Sequence, residues 1–341
     1  MRQIWIPRRG PPEVLELREA HDPLPAHHEV RIRVEAAGVN FADVVGRLGA
    51  YPDLPPMPVV PGYEVAGRVD AVGNGVETDW IGRDVLALTR FGGYSDVVCV
   101  PEAQVFTRPA GMSAREGAAL PVNYLTAYQL TVVMGSLKPG ETVLVHSAGG
   151  GVGIAAVQIA RRIGARVIGT ASAGKHDFLK SQGVEACIDY TREDFEVRVG
   201  EITEGRGVEL ALDAVGGKSF QKSFRSLAPT GRLGMFGMSS ATPGKRRSLL
   251  AIARTLIATP WLRFNPPALM NANKGVFGVN LGHLWGESER IRAWMETILA
   301  WYQQGSIRPV VDASFPLEQA AEAHHHIQDR KNVGKVLLTT G

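Results

Sequence analysis

The stretch from Glu141 to Arg161, ETVLVHSAGGGVGIAAVQIAR, constrains this chain more than any other. Val143, Leu144, Val145 and His146 read as a short buried strand. Glycines follow at Gly149, Gly150, Gly151 and Gly153, and the apolar segment from Ile154 to Ile159 then reads as a helix packed on that strand. The dinucleotide fingerprint G-x-G-x-x-G is met as Ala148-x-Gly150-x-x-Gly153, with alanine where a small residue suffices for the tight turn. Gly150 lets backbone approach a pyrophosphate, and Gly153 lets helix and strand pack closely. The helix N-terminus then offers free N–H groups and a partial positive charge to the phosphates.

Any tight strand-to-helix turn favours glycine, so the surrounding residues decide. About 20 residues on, a second strand from Ala165 to Thr170 ends where an NAD-specific site places an acidic residue on the ribose. No carboxylate stands there. The segment is Gly169, Thr170, Ala171, Ser172, Ala173, Gly174 and Lys175, small polar groups followed by a cation. That chemistry suits a 2′-phosphate, and the expected cofactor is NADPH.

At 341 residues the chain is long enough for two domains, each with its own core. A net charge of +3 is too small to argue for nucleic acid, and no apolar run is long enough to span a bilayer. The start, MRQIWIPRRG, lacks the apolar core of a signal peptide, which leads us to expect a cytoplasmic protein. Two cysteines, Cys99 and Cys187, make neither a disulfide framework nor a four-thiolate zinc site, and read as small core residues. His324, His325 and His326 are consecutive in a helical segment, so they point in different directions and do not readily face one metal.

Residues 1–122 carry short alternating apolar runs broken by Gly and Pro, the pattern of a mainly β, barrel-like domain. From Asn123 strands alternate with helices. Six strand candidates, the later ones starting at Cys187, Val208, Gly231 and Gly275, make a doubly wound parallel sheet of the Rossmann type over 123–283. A long helix from Glu287 to Gln304 and further β character follow, so residues 284–341 are expected to complete the first domain. The segment Ser239 to Lys274 stands apart: Lys245, Arg246, Arg247 and Arg254 lie among Leu249, Leu250, Ile252, Leu256 and Trp261. It reads as a crossover helix capping a cleft or, less favoured, as a basic amphipathic helix on an anionic membrane.

Several motifs then carry a resemblance: GVNFADVVGRLGAYP from Gly38, VPGYEVAGRVDAVG from Val60, NYLTAY from Asn123 and HSAGGGVGIAAVQ from His146. With these the chain resembles the zinc-independent, ζ-crystallin-like quinone oxidoreductases of the medium-chain dehydrogenase/reductase superfamily. GTASAGKH from Gly169, PGKRRSLLAIART and KNVGKVLL make it most similar to the vesicle amine transport protein homologues, a synaptic vesicle membrane protein family. The resemblance implies an α/β fold in which a mainly β, GroES-like catalytic domain is formed by both chain ends.

Zinc dehydrogenases of the superfamily use a cysteine near Asn40 to Asp43 and the histidine of a Gly-His-Glu motif. This chain has no cysteine before Cys99, and the motif reads Gly62, Tyr63, Glu64, so the three protein ligands of a catalytic zinc are missing. Without that Lewis acid, reduction of a quinone or an α,β-unsaturated carbonyl compound is the expected chemistry, because conjugation already makes the acceptor carbon electrophilic.

By resemblance, Asn40, Asp43, Tyr51 and Tyr63 lie in or beside the catalytic cleft, with Asn40 also facing the nicotinamide. Tyr51 is the expected hydrogen-bond donor or proton source, and Asp43 either orients neighbours or binds Arg47. The resemblance further assigns Thr126, Gly150, Gly151, Val152 and Gly153 to the pyrophosphate, and Ser172, Lys175 and Tyr190 to the adenosine 2′-phosphate. Asp213, Val215, Gly216, Phe277 and Val279 are candidates at later strand ends, with Asn332 near the C-terminus. The edge strand GVFGVNL pairs with its twin in relatives, so a homodimer is expected. A membrane-surface or transport-associated protein with little catalytic activity is the alternative, since fold alone does not establish activity.

Overall fold

In the strand Glu29–Val39 the side chains of Val30, Ile32 and Val34 turn inward and are buried, while Arg31 and Arg33 between them turn out and share Asp70 on the neighbouring strand. That alternation organises the first of two units in the computed structural model, which describes residues 1–241 and 264–341. The basic run Lys245, Arg246, Arg247 and Arg254 lies outside the described residues.

The first unit comprises Met1–Leu125 and Leu281–Gly341, and the second Thr126–Asn280, against expected boundaries at 122/123 and 283/284. In the first, a sheet runs in the order Val311–Pro316, Lys335–Thr339, Glu29–Val39, Glu64–Val72, Asp84–Leu88 and Val105–Thr107, with Val97–Pro101 pairing off Glu29–Val39. Pairing is antiparallel except between Val311–Pro316 and Lys335–Thr339. Register shifts between Arg31 and Ile32 and between Val34 and Ala36 bend the long strand, as bulges do, and let the sheet curl round its core. Val30, Ile32, Val65, Val85, Leu317 and Leu338 belong to that core, which both chain ends therefore build. The long helix forms as Ser288–Gln303.

Among the described residues the second unit holds six strands: β1 (Thr142–Val145), β2 (Arg166–Ala171), β3 (Ala186–Asp189), β4 (Val208–Asp213), β5 (Leu227–Met235) and β6 (Gly275–Gly278). All are parallel and lie in the order β3-β2-β1-β4-β5-β6. The order reverses between β1 and β4, and open α/β sheets bind ligands at that switch point, beyond the carboxyl ends of the strands. The fold is the expected one, a Rossmann-type sheet with a mainly β domain from both ends. One sequence expectation needs correction: Cys99 and Cys187 are half-buried rather than enclosed, Cys99 with its Sγ against the Pro23 carbonyl at 3.9 Å.

Candidate active site

Two groups of candidate residues, one in each unit, form separately. In the second unit, β1 ends in a turn at Ser147 and Ala148, and the helix Gly151–Ile163 starts from Gly150 in extended backbone. No side chain caps this helix and its first turn carries no acidic residue, so the N–H groups of Gly151, Val152 and Gly153 are open to an anion among the described residues. Gly153 is demanded by packing: a Cβ there would lie 2.4 Å from the Ser147 oxygen and 2.7 Å from the Ala148 Cα. Gly150 has more room, with the Ser147 oxygen 3.3 Å from such a Cβ. Lys175, in the turn Ala173–Lys175 after β2, lays its side chain over Gly149, its Cδ 2.9 Å from where a Cβ would stand. The stem of the lysine therefore lies against the glycine turn itself. Half-buried Ser172 precedes it and Tyr190, 42% exposed, follows β3, so both stand at carboxyl ends of strands. Thr126 is buried in the helix Pro121–Tyr128.

Other expected cofactor residues prove to have structural work. Asp213 at the end of β4 is fully buried, and its carboxylate accepts from the Ser219 and Ser223 hydroxyls, each at 2.7 Å, and from the N–H groups of Val215 and Gly216 at 2.8 and 3.2 Å. It shapes the turn after β4. Because the Ser223 hydroxyl donates to Asp213, its oxygen accepts from His146 Nε2 at 3.0 Å, and His146 Nδ1 accepts from Thr170 at 3.1 Å. Burial pushes the His146 pKa down against the pull of Asp213, which agrees with a neutral ring in this tautomer. Ser219 and Ser223, four apart on one helix face, were the sequence signal for this network. Phe277 packs its ring over Gly234, where a Cβ would meet its Cζ at 2.7 Å. Buried Val279 donates its N–H to the Met235 carbonyl.

In the first unit, Tyr51 and Tyr63 line a pocket of about 320 Å³ that lies wholly within that unit. Their rings meet edge to face at 6.2 Å, and Phe91 packs on Tyr63 at 5.2 Å. Trp285 supplies a further aromatic wall, and Asp53, Arg90 and His283 are its charged and titratable lining. Burial holds the Tyr63 phenol far above its ordinary pKa, helped by the charge of Asp43 and by its hydrogen bond to Tyr51. Tyr63 thus stays protonated and donates to Tyr51. Sequence reasoning missed Phe91, Arg90, His283 and Trp285. The run RFGG from Arg90 to Gly93 was the available hint, and nothing local marked His283.

Asp43 and Asn40 stand behind this pocket rather than in its lining. Asp43, 1% exposed, accepts from the backbone N–H of Asn40 (2.8 Å), the N–H of Gly62 (3.1 Å) and the Tyr94 hydroxyl (3.0 Å). Of the two roles the sequence left open for Asp43, these contacts match the one that orients neighbours. Arg47 donates to Gln328 at 2.8 Å. Burial raises the Asp43 pKa to about 6, with the three hydrogen bonds opposing. Gly62 adopts a φ of 103°, where only glycine is at ease, with the Gly93 Cα 2.8 Å from where its Cβ would be. Asn40 gives its Nδ2 to Glu64 at 3.2 Å and takes Lys335 Nζ on Oδ1 at 2.7 Å, which fixes the orientation of its amide. Asn332 donates to the Gly334 carbonyl within its own turn.

The donor set at the Gly-Tyr-Glu motif does not fit zinc. Tyr63 holds the middle position, and Glu64 is ion-paired with Lys335 while its other oxygen accepts from the Val122 N–H at 2.7 Å. The three neighbouring histidines take three separate partners: His324 meets Tyr94 at 3.1 Å, His325 meets Glu13 at 2.7 Å and His326 meets Asp312 at 2.6 Å.

Residues 26–110 match the family described as alcohol dehydrogenase GroES-like domain, and residues 182–338 the family described as zinc-binding dehydrogenase. The synaptic vesicle membrane protein VAT-1 homolog of Rattus norvegicus is 44% identical over 330 residues, 96% of this chain and 80% of that protein. The crystal structure of human synaptic vesicle membrane protein VAT-1 homolog-like protein superposes with a TM-score of 0.86 at 33% identity, covering 100% of this chain and 98% of that one. Escherichia coli quinone oxidoreductase complexed with NADPH superposes with a TM-score of 0.87 at 30% identity, covering 99% and 100%.

Proposed function

The chain belongs to the zinc-independent quinone oxidoreductase group of the medium-chain dehydrogenase/reductase superfamily, beside the VAT-1 homologues, and we propose that it is an NADPH-dependent reductase of quinones or α,β-unsaturated carbonyl compounds. The aromatic pocket that holds the Tyr51–Tyr63 pair carries this reading. When bound, NADPH supplies a hydride to the electrophilic carbon of the acceptor. Gly151, Val152 and Gly153 present N–H groups to its pyrophosphate, and Ser172 and Lys175 take the 2′-phosphate; the choice of cofactor is supported by the related quinone oxidoreductase that is complexed with NADPH. The acceptor's oxygen gains negative charge as the hydride arrives, and Tyr51 donates a hydrogen bond to it. Tyr63 donates to Tyr51 from behind and makes the Tyr51 hydroxyl a better donor. The aromatic walls hold a planar acceptor and exclude water.

NADPH oxidation against neutral naphthoquinones and cyclohexenone tests this directly, with and without a chelator. Tyr51→Phe is expected to lower kcat by about 100-fold while leaving NADPH binding nearly unchanged. An unaltered kcat removes Tyr51 from the mechanism.

A homodimer joined through β6, an edge of the six-stranded sheet, is part of the same proposal. A membrane-surface role is the second reading, favoured by the name of the VAT-1 relatives. No helix among the described residues is long and apolar enough to cross a membrane. Salt-sensitive co-sedimentation with anionic liposomes, lost on replacing Arg246 and Arg247 by alanine, is what that reading expects; no binding at low salt overturns it.

A further inference from the structure

The pocket of the first unit treats its two opposite charges differently. Asp53 is engaged by His283, with Oδ2 and Nε2 2.8 Å apart. Arg90 makes no hydrogen bond or ion pair among the described residues. Its guanidinium is always charged and carries five donors in a planar fork that matches a carboxylate.

The backbone that carries Arg90 is held in a conformation it would not adopt unaided. Phe91 has a φ of 105° and Gly92 one of 82°. For a bulky residue such a φ is a true outlier, kept only where the surroundings over-determine it. Here they do: Thr89 N donates to the Tyr63 carbonyl (2.8 Å), Gly92 N to that of Val60 (2.9 Å) and Tyr94 N to that of Pro61 (3.0 Å). The strained residue turns its ring onto Tyr63 and leaves Arg90, its neighbour in the chain, on the pocket's edge. A volume of about 320 Å³ is at the small end for ligand pockets, and the aromatic lining suits a single conjugated ring system.

We infer that the pocket takes a planar conjugated acceptor that bears an anionic oxygen group, a carboxylate or an ionised ring hydroxyl, paired with Arg90. The inference deepens the reductase reading and, for the word acceptor, rests on it. The anionic group is a handle and is unchanged by the reaction. A neutral quinone fills the aromatic walls but leaves the guanidinium to solvent, whereas an anionic one adds a charge-assisted, bidentate contact.

The test is calorimetric titration with naphthoate and with naphthamide, which share a ring and differ in charge, against the wild-type protein and Arg90→Gln. Arg90 is exposed, so its replacement leaves the core intact. In the wild type naphthoate is expected to bind roughly tenfold more tightly than naphthamide. In Arg90→Gln that advantage disappears while the naphthamide affinity stays the same. Equal affinities in the wild type, an advantage that survives in Arg90→Gln, or no naphthoate binding each overturn the inference. Turnover of a neutral naphthoquinone by the same preparation separates the two claims. Turnover without a naphthoate preference sinks the anionic handle alone, and a naphthoate preference lost with Arg90 but without turnover sinks the reductase reading alone.

Discussion

Lys335, on the last strand of the chain, puts its ammonium against the carboxylate of Glu64, 271 residues earlier, with both side chains almost wholly buried. The pair also holds Asn40 by both ends of its amide. Removing one partner leaves a buried charge without its counter-charge, which typically costs about 3–5 kcal/mol. Lys335→Met should lose that much in urea unfolding, and Glu64→Gln in the same protein should restore a large part of it. A single variant within about 1 kcal/mol of wild type would show the pair to be of little consequence.

The glycine turn gives a second contrast. A methyl at Gly153 runs into backbone at 2.4 Å, which cannot move without separating strand from helix, whereas at Gly150 the nearest atom is at 3.3 Å. Gly153→Ala is expected to lose about 1–3 kcal/mol or more and to bind NADPH poorly. Gly150→Ala should fold normally. Wild-type stability in Gly153→Ala would contradict the packing role.

The Rossmann sheet was legible because its strands are short apolar runs bounded by glycines and polar turns, and VELALD forms β4 over the same residues, Val208–Asp213. The glycine turn was legible for the same local reason. The aromatic pocket was not, since Tyr51, Phe91 and His283 meet only through long-range folding, and the strained φ of Phe91 leaves no mark on its residue type. Asp43 and Asp213 share one arrangement that sequence does not display: each carboxylate is engaged by backbone N–H groups and hydroxyl neighbours. Ser219 and Ser223 shared this fate with Asp213, and Tyr94 with Asp43.

Asp43 makes stability depend on pH in a stated direction. Burial raises its folded pKa to about 6 from its ordinary value of 3.8. A raised folded pKa contributes stability that is fully present below the unfolded value and is lost as pH rises through the folded one. Relative to Asp43→Asn, the wild type should therefore gain stability as pH is lowered from about 7 towards about 4, by up to about 1.4 kcal/mol per unit. Burial of His146 and His324 lowers their pKa values and acts in the opposite sense, but it does so in both proteins and cancels in the difference. Denaturation curves that run parallel across this range would show that Asp43 is not the buried acid described.

Reduction with NADPH deuterated at C4 of the nicotinamide, using a simple enone as acceptor, tests the central claim most directly. The expected result is deuterium at the β-carbon of the saturated product, formed faster with NADPH than with NADH, and a cofactor preference that collapses in Lys175→Ala. Cofactor that binds but is never oxidised by any enone or quinone, or a preference for NADPH that survives the loss of Lys175, would contradict it.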